Sequence, residues 1–337
     1  MHALRPKFAG DSPRTEVFVG DCRELLQRLP ERSVDLVFAD PPFNWQVPYD
    51  RWQDGMPRAE YLQFTRDWLD GCIRVLADHA SLWVNIPDDT AAEIVVHLKD
   101  RGLQMVNWCI WHYRFGQNRN ENFISSKVHA LYFARDKGNR RWDPSLILEP
   151  TDRAAVYADK RTWDKKEGVD GLRVPLDVWY GPFWGRIQGN NKERRAQHCN
   201  QLPETYLHRV IAACSRPDDL VLDPFLGSGT TCTIARAMGR RSIGIEFSPE
   251  NAASAWKRIT AVGPARPLPG MKGYCPQATA EPETSNFHTH RKRPTASAAR
   301  AAVAHAAALR GETPLNPAKV RRGRKQPAPA PAVFTAD

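Results

Sequence analysis

The chain has 337 residues, of which 42% are hydrophobic, and it carries a formal net charge of +10. This length is enough for one large domain or two modest ones, and the composition is that of a globular protein. No apolar run reaches membrane-spanning length, the polar start is unlike a signal peptide, and seven cysteines without a Cys-x-x-Cys pair indicate neither a zinc site nor a disulfide framework. These features predict a cytoplasmic protein, and the positive charge favours a nucleic acid as partner.

The first predicted strand is Glu16–Val19, and a Gly-Asp pair follows it. A short helix is predicted next, over Arg23–Leu29, because its leucines share one face. Asp21 is placed either to cap this helix or to accept a hydrogen bond from a ligand at the strand end. The residues leave both roles open.

The second predicted strand leads into an unusual tetrapeptide. Val34–Ala39 is an apolar run of strand length, and Asp40-Pro41-Pro42-Phe43 follows it directly. The two prolines restrict the backbone, so the Pro41 carbonyl is held rigid beside the Asp40 carboxylate. The tetrapeptide therefore offers two acceptors for an amino group and an aromatic face for a planar base, although a rigid strand-to-loop turn would use the same residues.

Strands and helices continue to alternate after the tetrapeptide. The polar and aromatic loop 44–52 is typical of segments that order over a substrate. The polar connection Tyr113–Lys127 could reach DNA or be an ordinary loop. The elements predicted in this part are the helices Ala59–Leu76 and Ala91–Leu98 and the strands Ser81–Ile86, Val106–Trp111 and His129–Ala134, the last two as a pair.

Residues 140–197 alternate basic and aromatic side chains. Basic side chains contact phosphates and aromatic ones support stacking or packing, and most of the tryptophans here are predicted to form the core of a small domain. The segment His198–Glu204 then opens a predicted helix that runs to Ala213, with Pro203 in its first turn.

A glycine-rich turn follows the next predicted strand. Leu220–Leu222 is a short buried strand, the turn is Asp223-Pro224-Phe225-Leu226-Gly227-Ser228-Gly229, and a helix begins at Thr230. Glycines let backbone N–H groups and a helix N-terminus approach a polar ligand, although most such turns are plain turns. The following strand, Ser242–Glu246, ends in an acid that is well placed to hold the hydroxyl pair of a ribose. This spacing favours an adenosine-containing ligand.

The C-terminal part of the chain holds most of the positive charge. Residues 263–337 contain 12 lysines and arginines and four acidic residues, and they are rich in proline and alanine. This composition predicts disorder, either as a solvated tail or as an anchor on DNA. The stretch Arg321-Arg322-Gly323-Arg324 resembles the core of an AT-hook, with Lys325 where a proline is usual.

The tetrapeptide and the glycine turn together resemble the motifs of DNA methyltransferases that use S-adenosylmethionine to methylate amino groups of bases. That family has Asp/Asn/Ser-Pro-Pro-Tyr/Phe/Trp at its catalytic site and Phe-x-Gly-x-Gly at its cofactor turn. Here the catalytic motif comes first, as in the beta class, and the resemblance covers residues 15–262. The chain departs from the family at His198–Pro203, where the family's His-Pro-Thr-Gln-Lys-Pro keeps its glutamine as Gln201 but loses its lysine.

The resemblance implies an α/β, Rossmann-like fold, with a mostly parallel seven-stranded sheet, helices on both faces and the cofactor at the carboxyl edge of the strands. The strands before Asp40 and Asp223 should then lie side by side. The implied organisation is a catalytic half over 1–139, a target-recognition insert over 140–197, a cofactor-binding half over 198–262 and the basic tail over 263–337.

The resemblance also implies the site residues. Asp40, Pro41, Pro42 and Phe43 would be catalytic, and Asp21 and the Cys22 N–H would bind the adenine of the cofactor. A side chain at Gly229 would intrude on the amino-acid portion of the cofactor. The residues expected to bind S-adenosylmethionine are Asp21, Cys22, Asp40, Gln201, Asp223, Phe225, Gly227, Gly229, Thr230 and Glu246.

The implied reaction is methyl transfer to a flipped-out base of double-stranded DNA, without a metal or a covalent enzyme intermediate. Asp at the first motif position favours adenine N6, and cytosine N4 is the alternative. A DNA-binding protein that has lost catalysis is an alternative of another class, and RNA is a weaker alternative substrate. The sequence leaves open whether the protein forms a homodimer and whether it has a cognate restriction endonuclease.

Overall fold

The computed structural model describes residues 5–11, 13–113, 120–150, 172–187, 191–195, 198 and 200–262. The predicted basic tail with its AT-hook-like stretch lies outside the described residues, as does part of the predicted recognition insert. Within the described residues, no helix has both the length and the apolar character needed to cross a membrane.

The described elements alternate along the chain much as predicted. The strands are β1 Phe8–Asp11, β2 Arg14–Val19, β3 Val34–Ala39, β4 Leu76–Ile86, β5 Gln104–His112, β6 Lys127–Ala134, β7 Glu149–Pro150, β8 Leu172–Arg173, β9 Val178–Trp179, β10 Leu220–Asp223 and β11 Arg241–Glu246. The helices are α1 Cys22–Arg28, α2 Arg58–Val75, α3 Asp88–Asp100, α4 Glu204–Cys214, α5 Thr230–Ala237 and α6 Pro249–Thr260, with a 3₁₀ turn at Pro182–Trp184.

One large sheet has the strand order β1-β2-β11-β10-β3-β4-β6-β5-β9, and β7 pairs with β8 apart from it. Strands β2, β11, β10, β3 and β4 are parallel neighbours, whereas β6 is antiparallel to both β4 and β5. The prediction of a mostly parallel sheet is confirmed. The predicted count of seven strands is wrong for the described part of this sheet, which has nine, because β1 and β9 add short edge strands to the central seven.

Helices cover both faces of the sheet, as predicted. Successive strand residues point to opposite faces, so Val37 packs with α1, α2 and α3 whereas its neighbour Leu36 packs with α4 and α5. Trp179 and Trp184 join this second layer around Tyr206. The expectation that the tryptophans of 140–197 form a separate small core is therefore wrong for these two, because α4 already supplies the apolar surface that covers them.

The strands before Asp40 and Asp223 are neighbours, as predicted. Leu36 and Val37 of β3 pair in parallel with Val221 and Leu222 of β10. Since the carboxyl ends of parallel strands meet at one edge of a sheet, these two acids emerge side by side although 183 positions separate them in the sequence.

Candidate active site

A cavity of about 490 Å³ opens at the carboxyl edge of the parallel strands. This volume lies within the range that holds a cofactor-sized molecule. The cavity is lined by the ends of β2, β3, β10 and β11, by the loop after β3 and by the residues before α4. Of the predicted site residues, those that line it are Asp21, Cys22, Asp40, Pro41, Pro42, Phe43, Gln201, Asp223, Phe225, Gly227, Thr230 and Glu246.

Asp40 follows β3 directly, and within the described part of the chain a single side chain holds its carboxylate. Asn85 Nδ2, at the end of β4, donates a hydrogen bond of 2.7 Å to Asp40 Oδ1. Burial raises the pKa of Asp40 to about 7, the hydrogen bond from Asn85 opposes that rise, and the nearby Asp223 carboxylate adds to it. Asp40 therefore changes charge near neutral pH.

The rest of the tetrapeptide is fixed from α2. The Pro42 carbonyl accepts a hydrogen bond of 2.8 Å from the Tyr61 hydroxyl. Phe43 meets Trp45 edge to face, with ring centroids 5.3 Å apart. Pro41 and Phe43 both line the cavity beside Asp40, so the three residues meet at one place.

The loop after the tetrapeptide is closed at its base by hydrogen bonds. The Asn44 side chain accepts from the Gly55 and Met56 N–H groups at 2.8 and 2.6 Å, and the Asp54 carboxylate accepts from the N–H groups of Asn44 and Val47 at 3.1 and 2.9 Å. This pinning holds Asn44 in a left-handed conformation with a φ of 62°. The loop therefore leaves β3 at a defined angle.

The tip of the same loop reaches the start of α6. The Ser248 hydroxyl donates to Asp50 at 2.5 Å, and Arg51 pairs with Glu250 at 2.9 Å. Trp52 packs on Phe64 and Phe247. The loop residues that line the cavity are Pro48, Tyr49, Asp50 and Trp52. That this segment orders over a substrate stays a prediction.

The glycine turn between β10 and α5 is held by hydrogen bonds that its main-chain N–H groups donate to β11. The Leu226 N–H donates to the Ile245 carbonyl at 2.8 Å, and the Gly227 N–H donates to Glu246 Oε2 at 2.8 Å. Gly227 and Gly229 have φ angles of 49° and 76°, in the left-handed region that favours glycine. The turn thus reaches α5 at Thr230, five positions after Phe225.

Gly229 corrects one prediction. It does not line the cavity, and a Cβ added to it would lie 3.0 Å from the Ala255 Cβ on α6. A side chain there would collide with α6 rather than enter the cofactor space. Gly229 is therefore a glycine because of its left-handed backbone and the close approach of α6, whereas Gly227 lines the cavity.

Two acids lie at the glycine turn: Asp223 begins the turn, and Glu246 reaches it from the end of β11. Each oxygen of Glu246 accepts from a backbone N–H: Oε2 from Gly227 at 2.8 Å and Oε1 from Ser248 at 3.0 Å. The Asp223 carboxylate accepts from the Phe225 N–H at 2.9 Å. Burial raises the pKa of both acids, in the case of Asp223 to about 7. A carboxylate oxygen has two acceptor sites, so Glu246 can still receive ligand hydroxyls.

Asp21 caps α1, which confirms one of the two roles that the sequence left open. Its carboxylate accepts from the Arg23 N–H at 2.9 Å and pairs with the Arg23 guanidinium at 2.6 Å. Asp21 and Cys22 both line the cavity. Burial raises the pKa of the Cys22 thiol far above its ordinary value, so this cysteine remains an uncharged wall residue.

Gln201 also lines the cavity, but its amide is used within the protein. Its Nε2 donates to the Glu193 carbonyl at 2.8 Å, and its Oε1 accepts from the Arg195 N–H at 3.0 Å. Gln201 thereby holds residues 193–195 against the start of α4.

The sequence interpretation missed a buried ion pair behind the glycine turn. Arg258 on α6 lies 2.9 Å from Glu204 on α4, and their side chains are only 3% and 1% exposed. The same guanidinium donates to the Thr230 hydroxyl at 2.7 Å and the Ser228 carbonyl at 3.2 Å. Arg258 thus joins α4, α5 and α6 behind the cavity. Arg258 follows the buried Ala255 by three positions and the buried Ala252 by six, and this helical spacing is the signal that could have indicated it.

Comparisons with known proteins identify the family of the chain. The family model described as DNA methylase, for the N6 and N4 type, matches residues 34–257. The type II methyltransferase M.ScaI of Streptomyces caespitosus is 29% identical over 252 residues, which cover 73% of this chain and 81% of that protein. The type II methyltransferase M.HpaI of Haemophilus parainfluenzae is 29% identical over 237 residues, which cover 70% and 71%.

Two solved structures share the fold. The PvuII DNA methyltransferase, which is cytosine-N4-specific, has a TM-score of 0.55 and 18% identity, and the match covers 72% of this chain and 86% of that one. A putative DNA modification methylase of Thermus thermophilus, solved with S-adenosyl-L-methionine, has a TM-score of 0.51 and 22% identity, and the match covers 74% and 95%. At such identities these structures support the fold alone.

Proposed function

The chain belongs to the DNA methylase family that acts on exocyclic amino nitrogens of adenine or cytosine, and from this premise we propose that it methylates adenine N6 at a specific site in double-stranded DNA. The methyl donor of this family is S-adenosylmethionine. The observation that carries the proposal is that one cavity is lined by the Asp40 tetrapeptide, by the glycine turn that begins at Asp223 and by Glu246 at the end of β11. The two motifs therefore serve a single reaction.

The charge of the cavity fits this donor. Its acidic lining residues are Asp21, Asp40, Asp50, Asp223, Glu246 and Glu250. None of the described residues that line it is a lysine or an arginine. S-adenosylmethionine carries a sulfonium cation and no phosphate, so such a cavity attracts it and disfavours the dinucleotides that bind similar glycine turns.

The geometry also fits the two ends of the donor. Glu246 ends β11 with its oxygens held by backbone N–H groups, which orients the carboxylate for the two ribose hydroxyls. Gly227 exposes the turn backbone to the cavity, where the amino-acid portion would lie. When bound, S-adenosylmethionine supplies an electrophilic methyl group.

The protein's own residues activate the target nitrogen. The exocyclic nitrogen of a base is a poor nucleophile because its lone pair is delocalised into the ring. Asp40 and the Pro41 carbonyl accept its two hydrogens, which favours a pyramidal nitrogen with its lone pair turned out of the ring. Phe43 stacks on the base, with a stabilisation of about 1–3 kcal/mol.

The nitrogen must also lose a proton when its new bond to carbon forms. Burial raises the pKa of Asp40 to about 7. A carboxylate with such a pKa is a suitable base at neutral pH, and it already accepts a hydrogen bond from the nitrogen that gives up the proton. Asp40 thus orients the target first and receives its proton afterwards.

The target base has to leave the duplex to reach this cavity, at a cost of a few kcal/mol. In this family an aspartate at the first position of the tetrapeptide, as at Asp40, favours adenine. Cytosine N4 remains the alternative target, because its amino group offers the same two hydrogens.

Mass spectrometry of nucleosides from DNA of cells that express the protein tests the proposal. We expect N6-methyladenine, absent from cells that express Asp40→Ala. N4-methylcytosine instead would show that the adenine assignment is wrong, and no modified base would favour a catalytically silent DNA-binding protein. Digestion of the nucleic acid with DNase or RNase before the assay separates DNA from RNA as substrate.

A further inference from the structure

Asn85 is a buried polar residue that no motif of the sequence includes. It lies one residue before the end of β4, and its neighbour Val84 pairs with Ala39 across the parallel β3–β4 ladder. The side chain is therefore placed beside Asp40, and the residue is only 1% exposed. Its Nδ2 lies 2.7 Å from Asp40 Oδ1, and its Oδ1 lies 3.1 Å from the Tyr206 hydroxyl.

The partners of Asn85 determine which way its amide points. If the amide were reversed, its oxygen would face the Asp40 carboxylate and two acceptors would repel each other. The nitrogen must therefore face Asp40, and the Tyr206 hydroxyl must donate to the amide oxygen. The result is a chain of two hydrogen bonds, in which Tyr206 donates to Asn85 and Asn85 donates to Asp40. Each hydrogen bond polarises the other.

Tyr206 is itself held by packing. It is fully buried on α4, and its ring meets those of Phe38 and Trp179 edge to face, with centroids 5.6 and 5.2 Å apart. Trp111 packs on it at 5.7 Å. The hydroxyl therefore has a fixed place from which to orient Asn85.

This arrangement distinguishes the two oxygens of Asp40. Oδ1 is held by Asn85, and among the described residues no hydrogen bond is directed to Oδ2. We propose that Asn85, oriented by Tyr206, is a positioning residue that anchors Oδ1 and thereby presents Oδ2 as the acceptor for the target amino group. The proposal rests on the function proposed above and deepens it.

The groups that face Asp40 predict how its charge responds. Asp223 faces it from β10 and raises its pKa, Asn85 faces it from β4 and lowers its pKa, and the uncharged Tyr206 lies beyond Asn85 on α4. Methyl transfer requires the ionised carboxylate. Asn85→Ala removes the opposing donor, so the acidic limb of the rate against pH should move to higher pH and the rate at pH 7 should fall by about 10- to 100-fold.

An exchange of the two side chains tests the orientation itself. In Asp40→Asn, Asn85 still donates to the oxygen at position 40, so an NH₂ group faces the target where an acceptor is needed. When Asn85→Asp is added, the new carboxylate accepts from the amide at position 40 and from Tyr206. The amide oxygen then turns toward the target. We expect the double variant to transfer methyl groups about 10-fold faster than Asp40→Asn alone.

Tyr206→Phe has a matched control in Tyr132→Phe. Tyr132 is also a buried tyrosine whose hydroxyl is hydrogen-bonded, but to Ser81 and Cys214 rather than to Asn85. Tyr206→Phe should move the acidic limb to higher pH, and Tyr132→Phe should leave it in place. Cofactor binding measured by calorimetry confirms in each case that the variant is folded.

Single-turnover rates between pH 5.5 and 9 at saturating DNA and S-adenosylmethionine decide the outcome. Rescue by the double variant and a shift confined to the Asn85 and Tyr206 variants support the proposal. Losses that simply add in the double variant, or equal shifts for the two tyrosines, would overturn it. These outcomes concern the positioning of Asp40 by Asn85 and Tyr206. The role of Asp40 itself is tested separately, because activity retained in Asp40→Ala would contradict the proposed function.

Discussion

Glu246 and Asp40 end two strands of the same sheet and line the same cavity, yet the protein holds them in different ways. Both oxygens of Glu246 accept from main-chain N–H groups within its own turn and the glycine turn. Among the residues that the structure describes, Asp40 is held by one side chain, that of Asn85, which in turn depends on Tyr206 in another layer. The proposed cofactor end is thus built from backbone geometry, and the proposed catalytic end from side chains of distant elements.

This difference predicts that the two acids affect different steps. Asp40→Ala should have the largest effect of any single change, a loss of about 10³-fold in turnover at saturating cofactor, because it removes the acceptor that orients the target nitrogen. DNA binding should remain close to that of the native protein. Single-turnover transfer of a labelled methyl group and fluorescence anisotropy measure the two quantities. Turnover above a few per cent of the native value would refute the role of Asp40.

Glu246→Ala should act on affinity instead of turnover. It removes the acceptor for two ribose hydroxyls and two backbone N–H groups, so the Kd for S-adenosylmethionine should rise by about 10- to 100-fold. Turnover at saturating cofactor should fall much less than in Asp40→Ala. Calorimetry provides the Kd, and Glu60→Ala on the exposed face of α2 is the control. An unchanged Kd in a folded Glu246→Ala protein would contradict the assigned cofactor end.

Alanine substitutions at the two glycines of the turn should separate an effect on the free energy of unfolding from an effect on cofactor affinity. Alanine at either position meets a left-handed φ, but only at Gly229 does the new Cβ also press on Ala255, at 3.0 Å. Gly229→Ala should therefore lower the free energy of unfolding by about 2–3 kcal/mol and Gly227→Ala by about 1 kcal/mol. Cofactor affinity should change only in Gly227→Ala. Urea unfolding and calorimetry test this, and a binding defect specific to Gly229→Ala would restore the role that the sequence predicted for Gly229.

The pH dependence of S-adenosylmethionine binding should be the smallest of the predicted effects. It involves acids of both motifs, Asp40 and Asp223. Burial raises the pKa of Asp40 and of Asp223 to about 7. A sulfonium cation favours their ionised forms, so the affinity for S-adenosylmethionine should be highest above pH 8. It should fall by up to about 10-fold as the pH decreases to 6 and the carboxylates become protonated.

S-adenosylhomocysteine, whose sulfur is uncharged, is the natural control for this effect. Its affinity should depend much less on pH. Calorimetry between pH 6 and 8.5 compares the two ligands. Equal pH dependence for both would mean that the carboxylates do not sense the sulfonium charge.

Most of the cofactor end could be predicted from the sequence. The strand β3 was placed at its observed residues, and β10, β11 and the turn between them were recognised from short apolar runs, two glycines and a terminal acid. Such features depend on neighbours within about 25 positions of the chain. The exception is Gly229, whose reason lies on α6 and not in its own turn.

The edge of the sheet and the surroundings of Asp40 could not be predicted in the same way. Strand β9 has two residues and, in the described part of the chain, pairs only with β5, so no periodic pattern marks it. Trp179 and Trp184 gave the same signal as the tryptophans of a separate small core. They are buried in the main core because α4 packs against them.

The sequence by itself determined the chemical groups and the strand ends that carry them. The reason is that the period of apolar residues and the restrictions of proline and glycine act over a few residues. Only the tertiary structure decided how those groups are held. Asn85 and Tyr206 lie 45 and 166 positions after Asp40, and Arg258 reaches Glu204 from 54 positions away. A hydrogen bond or an ion pair between such residues leaves no local pattern, because its partners meet only after the sheet and its two helical layers have packed.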